Sequence, residues 1–289
     1  MRIHEVPLPK KSYEGQRISL LTQHGKEQVM GPIFADLCGA EVVHTQGFDT
    51  DRLGTFTREV SRSGSQLDAA RKKAQIGMAL TGLKLGLASE GSFSPDPYSG
   101  LFNWNYELVI LVDEVRQLEL HWVHSGECVA FSTSVTDWDQ ALAFASKAQF
   151  PSHHLVIRPD GADHPECRKG LATQEDLKTA FDWAMGQTQQ GVVFMENDLR
   201  AHANPTRMNA IRQAATVLAQ QMTSLCPACG SVGFWVRDVK RGLPCRCCGQ
   251  PTSLPVAKRW TCKQCGHHRD QAMEDSAWAD PRTCSACNP

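Results

Sequence analysis

The chain has 289 residues, of which 41% are hydrophobic and 21% charged, as is typical of a globular protein with one large or two smaller domains. Its formal net charge of −1 argues against a protein that binds nucleic acid or membranes through overall charge. No apolar run approaches the roughly 18 residues of a membrane span, and the N-terminus has no apolar signal segment. We therefore expect a soluble, cytoplasmic protein without a membrane partner, in an oligomeric state that the sequence leaves open.

Strand-like and helix-like patterns alternate along the chain up to about residue 225. The first predicted strands cover residues 18–22, 41–45 and 83–88, separated by helical patterns that end near Leu37 and Met78. Further strands are predicted over residues 106–112, 118–123, 128–134, 154–158 and 191–196, and further helices over residues 138–148, 174–185 and 205–224. This alternation predicts an α/β domain over residues 1–225, in which helices flank a mixed, partly parallel sheet.

Eight of the twelve cysteines form Cys-x-x-Cys pairs, all of them after residue 225. The pairs are Cys226/Cys229, Cys245/Cys248, Cys262/Cys265 and Cys284/Cys287. Spacers of 15 and 18 residues separate the first pair from the second and the third from the fourth, as in all-cysteine zinc ribbons. We therefore expect tandem four-cysteine zinc ribbons over residues 226–289, with two structural zinc ions. Spacing alone leaves open an interleaved pairing, first with third and second with fourth.

Zinc ribbons often contact nucleic acid, but the charge of this tail does not favour that partner. Residues 226–289 contain nine Lys+Arg and five Asp+Glu, which gives +4. Eight thiolates and two Zn²⁺ contribute −8 + 4 = −4, so the total is about zero. A nucleic-acid-binding module normally keeps a basic surplus. We therefore interpret the local group Trp235, Arg237, Lys240 and Arg241 as a solvated ribbon face, with nucleic-acid binding as the alternative.

The turn after the first predicted strand has the sequence His24-Gly25-Lys26 and leads into a helix. A helix N-terminus presents free N–H groups, a glycine permits close approach, and a lysine adds positive charge. His24 and Lys26 are therefore candidate phosphate-binding residues. The alternative interpretation is an ordinary solvated turn.

Glu90 follows the third predicted strand, where a carboxylate is a candidate Mg²⁺ ligand or general base. Asp49 and Asp51 lie in the polar loop after the second strand, and Asp51 is the candidate second carboxylate. We therefore assign the predicted catalytic role to Glu90 and Asp51. The alternative is that Glu90 only caps N–H groups of its own turn.

Residues 197–207 form the densest polar segment before the cysteine-rich tail and join the last predicted strand to the long helix. Asn204 followed by Pro205 is typical of a helix start. Arg200 and Arg207 flank that start, where the helix dipole and guanidinium groups can hold an anion. Together with His202 and Asn204 they are candidate phosphate-binding residues. The alternative is that Asp198 pairs with the two arginines and the segment merely caps the helix.

Several landmarks spread over nearly the whole chain resemble those of a bacterial family of unknown function with a cysteine-rich tail. The landmarks are Gly54-Thr55-Phe56, Ala88-Ser89-Glu90-Gly91-Ser92-Phe93, Phe150-Pro151-Ser152-His153, the run from Asp198 to Met208, and the ending Cys287-Asn288-Pro289. This resemblance implies no activity.

Residues 18–93 are also similar, in the order of their elements, to inosine-triphosphatase-like pyrophosphatases. The matching features are His24-Gly25-Lys26, the loop 49–56, Ala70-Arg71-Lys72-Lys73-Ala74 and Ser89-Glu90-Gly91-Ser92. The resemblance implies that Lys26 contacts phosphate, while Asp51 and Glu90 hold Mg²⁺ or activate water. The family's usual Asp-Asp-Ser-Gly turn is replaced here by Ser-Glu-Gly-Ser, and residues 94–225 show no clear match.

The leading hypothesis is a Mg²⁺-dependent hydrolase of a nucleoside triphosphate or a related phosphorylated small molecule. It predicts that Lys26, Arg200 and Arg207 converge on one pocket with Glu90 on the opposite wall. The alternative is a non-catalytic module that senses a phosphorylated ligand, with ribbons that dock a protein or nucleic acid.

Overall fold

The computed structural model describes residues 12–49, 64–273 and 277–289. The chain divides into two compact units, Tyr13–Ala219 and a second unit that contains Gln220–Pro289. The predicted catalytic residue Asp51 and the motif Gly54-Thr55-Phe56 lie outside the described residues. In the part of the chain that is described, no helix has the length and apolar character needed to cross a membrane.

The first sheet of the Tyr13–Ala219 unit has five strands in the order β2-β1-β3-β4-β5. The strands are β1 (Arg17–Leu21), β2 (Glu41–Thr45), β3 (Leu85–Pro95), β4 (Asn103–Asp113) and β5 (Leu118–Glu127), and the accompanying helices are α1 (Glu27–Cys38) and α2 (Gln66–Thr81). β1 is parallel to β2 and β3, whereas β4 runs antiparallel to both of its neighbours, β3 and β5. The predicted mixed, partly parallel sheet is confirmed.

Helix α2 packs closely on this sheet because small residues line its inner face. Ala70 and Ala74 are fully buried against Ala88 and Ile110 of the sheet. A Cβ atom at Gly86 of β3 would lie 2.7 Å from the Ala74 carbonyl oxygen, so only glycine permits this approach. The close packing places the N-terminal half of α2 beside the middle of β3, where Glu90 lies.

A second sheet follows in the same unit, with four antiparallel strands in the order β6-β9-β7-β8. The strands are β6 (Ser132–Val135), β7 (Leu155–Pro159), β8 (Arg168–Leu171) and β9 (Val193–Asn197), and the helices are α3 (Trp138–Lys147), α4 (Gln174–Gln187) and α5 (Pro205–Thr223). α3 and α4 form a separate core with this sheet. The sequence predicted a single sheet, because strand patterns do not state which strands pair. β8 was missed because Arg-Lys-Gly-Leu lacks an apolar pattern.

The second unit contains a three-stranded antiparallel sheet in the order β10-β11-β12. Its strands are β10 (Trp235–Arg241), β11 (Pro255–Thr261) and β12 (His268–Ala272). Its small core consists of Phe234, Cys226 and Cys262, with Trp260 packed against them. So small an apolar core cannot stabilise a fold by itself. The second unit therefore needs an additional source of stability.

Candidate functional site

Lys26 lies in the turn between β1 and α1, at the carboxyl end of β1. Only 7% of the residue is exposed, and its Nζ donates a hydrogen bond to the Ser89 carbonyl oxygen at 3.2 Å. Within the described residues it makes no ion pair with a carboxylate. Burial, followed by the proximity of Arg207, lowers the pKa of Lys26 to about 7. Lys26 is thus a buried amine that still has hydrogen-bonding capacity for a ligand.

Glu90 lies on β3 beyond the end of β1, whose pairing with β3 stops at Leu20 and Leu87. Its carboxylate is almost completely buried and forms an ion pair with Lys73 of α2. Gln66 Nε2 donates to the Glu90 carbonyl oxygen at 2.6 Å and fixes the strand at this point. Glu90 is therefore a buried carboxylate whose charge is balanced by Lys73.

Arg207 on α5 forms a second buried ion pair with Glu107 of β4. The Nε and Nη2 atoms of Arg207 donate to the two Glu107 carboxylate oxygens at 3.1 Å and 3.3 Å. The exposed fractions are 2% for Arg207 and 0% for Glu107. A Cβ atom at Gly91 would lie 2.5 Å from Glu107 Oε2 and 2.8 Å from Arg207 Nη2. The glycine after Glu90 is therefore what allows this ion pair to lie against β3.

Arg200 is also engaged inside the fold, where its guanidinium forms a fork on Asp198. Arg200 Nη2 and Nε lie 2.6 Å and 3.0 Å from the carboxylate oxygens, and Gly170 N donates to the same group at 3.1 Å. Burial alone would raise the pKa of Asp198, but the hydrogen bonds from Arg200 hold it below its ordinary value. This pairing matches the alternative interpretation for Arg200 only, because Arg207 pairs with Glu107 and not with Asp198.

His24 and His202 pack against each other with ring centroids 5.3 Å apart. Burial first, and then the charges of Lys26, His202, Arg207 and Arg200 in that order, together lower the pKa of His24 to about 3. Burial and then Arg200 also lower the pKa of His202. Both imidazoles are therefore neutral near pH 7 and border a cluster of cations.

Asn204 caps α5, as the sequence predicted. Its Oδ1 accepts a hydrogen bond from Arg207 N at 2.9 Å, and its Nδ2 donates to the Val129 carbonyl oxygen at 3.0 Å. The residue is 1% exposed. The Asn204 side chain is thus used within the fold at both its oxygen and its nitrogen.

The structure brings most of the predicted residues of this unit together. The pKa shifts of His24 and Lys26 arise in part from Arg200, His202, Arg207 and Glu90, so these groups lie within electrostatic reach of one another. Arg200 and Arg207, however, are held by Asp198 and Glu107. Sequence reasoning assigned no role to Lys73, Gly91 and Glu107. Two of these residues had a recognisable signal in the sequence. Gly91 is a glycine inside β3, and Glu107 is a glutamate inside the apolar run of β4.

A cleft of about 540 Å³ opens at the carboxyl ends of β1 and β2, directly beside Lys26 in the chain. Ligands of partly parallel sheets bind at such strand ends. The cleft is lined by polar groups, namely Thr22, Gln23, Gly25, Glu27, Gln28, His44, Gln46 and Gly47.

The eight paired cysteines of the second unit form two clusters that can each hold a metal ion. The clusters are Cys226, Cys229, Cys262 and Cys265, and Cys245, Cys248, Cys284 and Cys287. In each cluster the sulfur atoms lie within 4.8 Å of one another, with cross-pair distances of 3.7–3.9 Å. Four sulfurs placed tetrahedrally at about 2.3 Å from one ion are separated by about 3.8 Å. The clusters therefore fit a metal ion with tetrahedral coordination.

The expected order of two ribbons in series is wrong, and the interleaved pairing is the one that the fold adopts. The reason is the hairpin of β10 and β11, in which Trp235 lies opposite Thr261. That register brings the first pair, before β10, next to the third pair, after β11. The second pair lies in the β10–β11 connection at the other end, where Cys245 bridges to Ala279 near the fourth pair.

A metal site needs three or more His, Cys, Asp or Glu side chains close together. Within residues 12–49, 64–273 and 277–289, the two cysteine clusters are the groups that meet this condition. The carboxylates of the first unit's site, Glu90 and Glu107, each face a cation instead.

The fold and sites define a two-unit protein, with an α/β unit that carries a buried charged site and a unit built on two interleaved four-cysteine clusters. The chain belongs to the family described as a domain of unknown function (DUF6671), whose model matches residues 73–289. The matched part includes Lys73, Glu90, Glu107, Arg207 and all eight paired cysteines. Comparisons with curated proteins and with solved structures give no match.

Proposed function

We propose that the Tyr13–Ala219 unit is a Mg²⁺-dependent hydrolase of a nucleoside triphosphate or a related phosphorylated small molecule. The observation that carries this proposal is Lys26, a buried amine without a carboxylate partner in the described residues, at the N-terminus of α1. A phosphate group there would receive a hydrogen bond from the ammonium group and charge stabilisation from the helix.

The charge balance around Lys26 supports an anionic ligand. Lys26, Lys73, Arg200 and Arg207 contribute four positive charges, and three carboxylates, those of Glu90, Glu107 and Asp198, lie among them. When Lys26 is protonated, these described groups carry an excess of one positive charge in a largely buried region, where an uncompensated charge is costly. An arriving phosphate would neutralise it and favour the protonated form of Lys26.

Glu90 and Asp51 are the residues that we propose to hold Mg²⁺. When bound, the ion would neutralise phosphate oxygens and lower the pKa of an attacking water. Glu90 would exchange its contact with Lys73 for the ion, which leaves Lys73 available to the phosphate. The order β1, α1, β2, α2, β3 in the unit also agrees with the resemblance to inosine-triphosphatase-like pyrophosphatases over residues 18–93.

A panel of nucleoside triphosphates and simpler phosphate esters with Mg²⁺ tests this proposal. The full chain should release phosphate or pyrophosphate from at least one compound, and Lys26→Met should reduce the rate at least tenfold. Lys84→Met is the matched control, because Lys84 is 69% exposed and pairs with Glu114 at the surface. Equal rates for the two variants, or no metal-dependent product from the whole panel, would refute hydrolysis at this site.

A second candidate function is a non-catalytic sensor of the same class of ligand. It is favoured by the internal pairing of Arg200 and Arg207, which leaves neither guanidinium ready to stabilise a transition state. The sensor predicts Lys26-dependent binding of the phosphorylated ligand without product. Calorimetric binding measured beside product analysis therefore separates the two functions.

We also propose that the two cysteine clusters hold zinc and that the ions are structural. Four cysteine ligands leave no open position for water or substrate, and the small core of this unit needs metal to fold. Metal analysis of the purified protein should give about two zinc ions per chain. A folded protein without zinc, or an exogenous ligand bound directly to either ion, would contradict this proposal.

A further inference from the structure

The two faces of the β10-β11-β12 sheet differ in charge. On one face, Trp260 of β11 lies opposite Arg269 of β12, and Lys258 lies opposite Gln271. Alternate residues of a strand share a face, and a hydrogen bond of 2.9 Å from Trp260 Nε1 to Gln271 Oε1 joins the two pairs. We call these four residues the Trp260 face.

The opposite face contains all the carboxylates of the three strands. Arg259 pairs with Asp270 at 2.7 Å, and Lys240 approaches the same carboxylate at 3.9 Å. Asp238 lies opposite Arg259 in the register. Arg259 and Lys240 on this face are therefore compensated by a neighbouring carboxylate.

The cations of the Trp260 face have no such compensation in the described part of the chain. Lys258 and Arg269 are both exposed. The Arg269 guanidinium lies 6.0 Å from the ring centroids of both Trp260 and Phe234. A guanidinium within cation–π distance of a half-buried aromatic ring, beside a second exposed cation, forms a positively charged aromatic surface, which we call the Arg269–Trp260 platform.

We propose that the Trp260 face binds single-stranded nucleic acid. Lys258 and Arg269 would contact phosphate groups, and a base would stack on the Arg269–Trp260 platform, the combination that such surfaces use without sequence preference. The near-zero total charge of the tail does not prevent this, because both carboxylates of the three strands, Asp238 and Asp270, lie on the opposite face. An acidic peptide could form ion pairs with Lys258 and Arg269, but its carboxylates have no flat π surface that would stack on the platform.

Two phosphate contacts imply weak binding with a shallow salt dependence. Each contact to a single strand contributes about −0.7 to the slope of the logarithm of affinity against the logarithm of salt concentration. The expected slope for the Trp260 face is therefore about −1.4.

Fluorescence anisotropy of the full-length chain with labelled oligo(dT) and oligo(U), over a series of salt concentrations, tests the proposal. The double variant Lys258→Ala with Arg269→Ala should weaken binding at least tenfold and bring the slope close to zero. The matched control is Lys240→Ala with Arg259→Ala, which removes the same charge from the opposite face and should change affinity less than twofold. Zinc content equal to that of the wild type shows that each variant keeps its fold.

Three results would overturn the proposal. The first is no binding at low salt up to about 100 µM protein, the weak limit of non-specific association. The second is an equal loss in both double variants, which would mean that only net charge matters. The third is displacement by poly-glutamate as effective as by unlabelled oligonucleotide, which would indicate an acidic protein partner. None of these results bears on hydrolysis by the first unit.

Discussion

Arg207 and Glu107 join α5 to β4 through two hydrogen bonds, at 3.1 Å and 3.3 Å, although they are 100 residues apart in the sequence. Both side chains are inaccessible to water, and Arg207 Nη1 also donates to the Leu199 carbonyl oxygen at 2.5 Å. The pair therefore connects the segment that follows the second sheet to the first sheet. Its two members act in opposite directions on the pKa of Lys26, which Arg207 lowers and Glu107 raises.

Replacing one member of this pair should destabilise the first unit strongly. Arg207→Met leaves the Glu107 carboxylate buried without its cation, which lowers the free energy of unfolding by about 3–5 kcal/mol. Arg212→Met, at an exposed position of the same helix, is the control and should change it little. Urea unfolding of both variants measures the difference. A loss below about 1 kcal/mol for Arg207→Met, as at ordinary surface pairs, would mean that the pair is not buried in solution.

Gly91→Ala should destabilise the same region for a steric reason. The new methyl group would lie 2.5 Å from Glu107 Oε2, so the ion pair must move, at a cost of about 1–3 kcal/mol. Gly186→Ala provides the opposite control, because nothing lies within 4 Å of a Cβ there and the position is inside α4. That substitution should stabilise the protein by up to about 1 kcal/mol. Thermal melts that show the same sign for both variants would contradict the geometry around Gly91.

The stability of the protein should depend on the protonation of Lys26. Its pKa falls from 10.5 in the unfolded chain to about 7 in the fold, so the unfolded state binds more protons between these values. Stability therefore rises with pH across this window, and the full penalty of the buried charge applies below pH 7. Lys26→Met removes the penalty, so it should exceed the wild type in stability at pH 6, by an amount that shrinks toward pH 10.

Urea unfolding at a series of pH values measures this difference, with Lys84→Met as the exposed control. A stability difference between Lys26→Met and the wild type that does not change with pH would show that Lys26 keeps an ordinary pKa.

The interleaved pairing of the cysteine clusters predicts which thiols become reactive when one pair is removed. In a protein with Cys262→Ser and Cys265→Ser, the first cluster loses half of its ligands, and Cys226 and Cys229 should become open to alkylation. The second cluster stays complete, so about one metal ion should remain. Peptide mass spectrometry after iodoacetamide treatment identifies the labelled cysteines. Labelling of Cys284 and Cys287 instead would indicate ribbons in series.

Local patterns in the sequence were sufficient to predict the features that depend on neighbouring residues. Asn204 and Pro205 predict the start of α5, since a capping bond spans only three residues. The Cys-x-x-Cys spacing predicts the metal-binding pairs, because both thiolates of a pair belong to one turn. The apolar run over residues 18–22 predicts β1, because a strand buried on both faces must be apolar.

Only the tertiary structure determined which of these residues come into contact with one another. The partner of Arg207 could not be read from spacing, because an ion pair between α5 and β4 depends on how the chain folds back over 100 residues. The pairing of the cysteine knuckles likewise follows from the β10–β11 register, in which Trp235 faces Thr261. Lys26 stands out for the same reason: its sequence motif shows a lysine in a turn, and only packing against Ser89 makes it a buried amine without a carboxylate partner in the described residues.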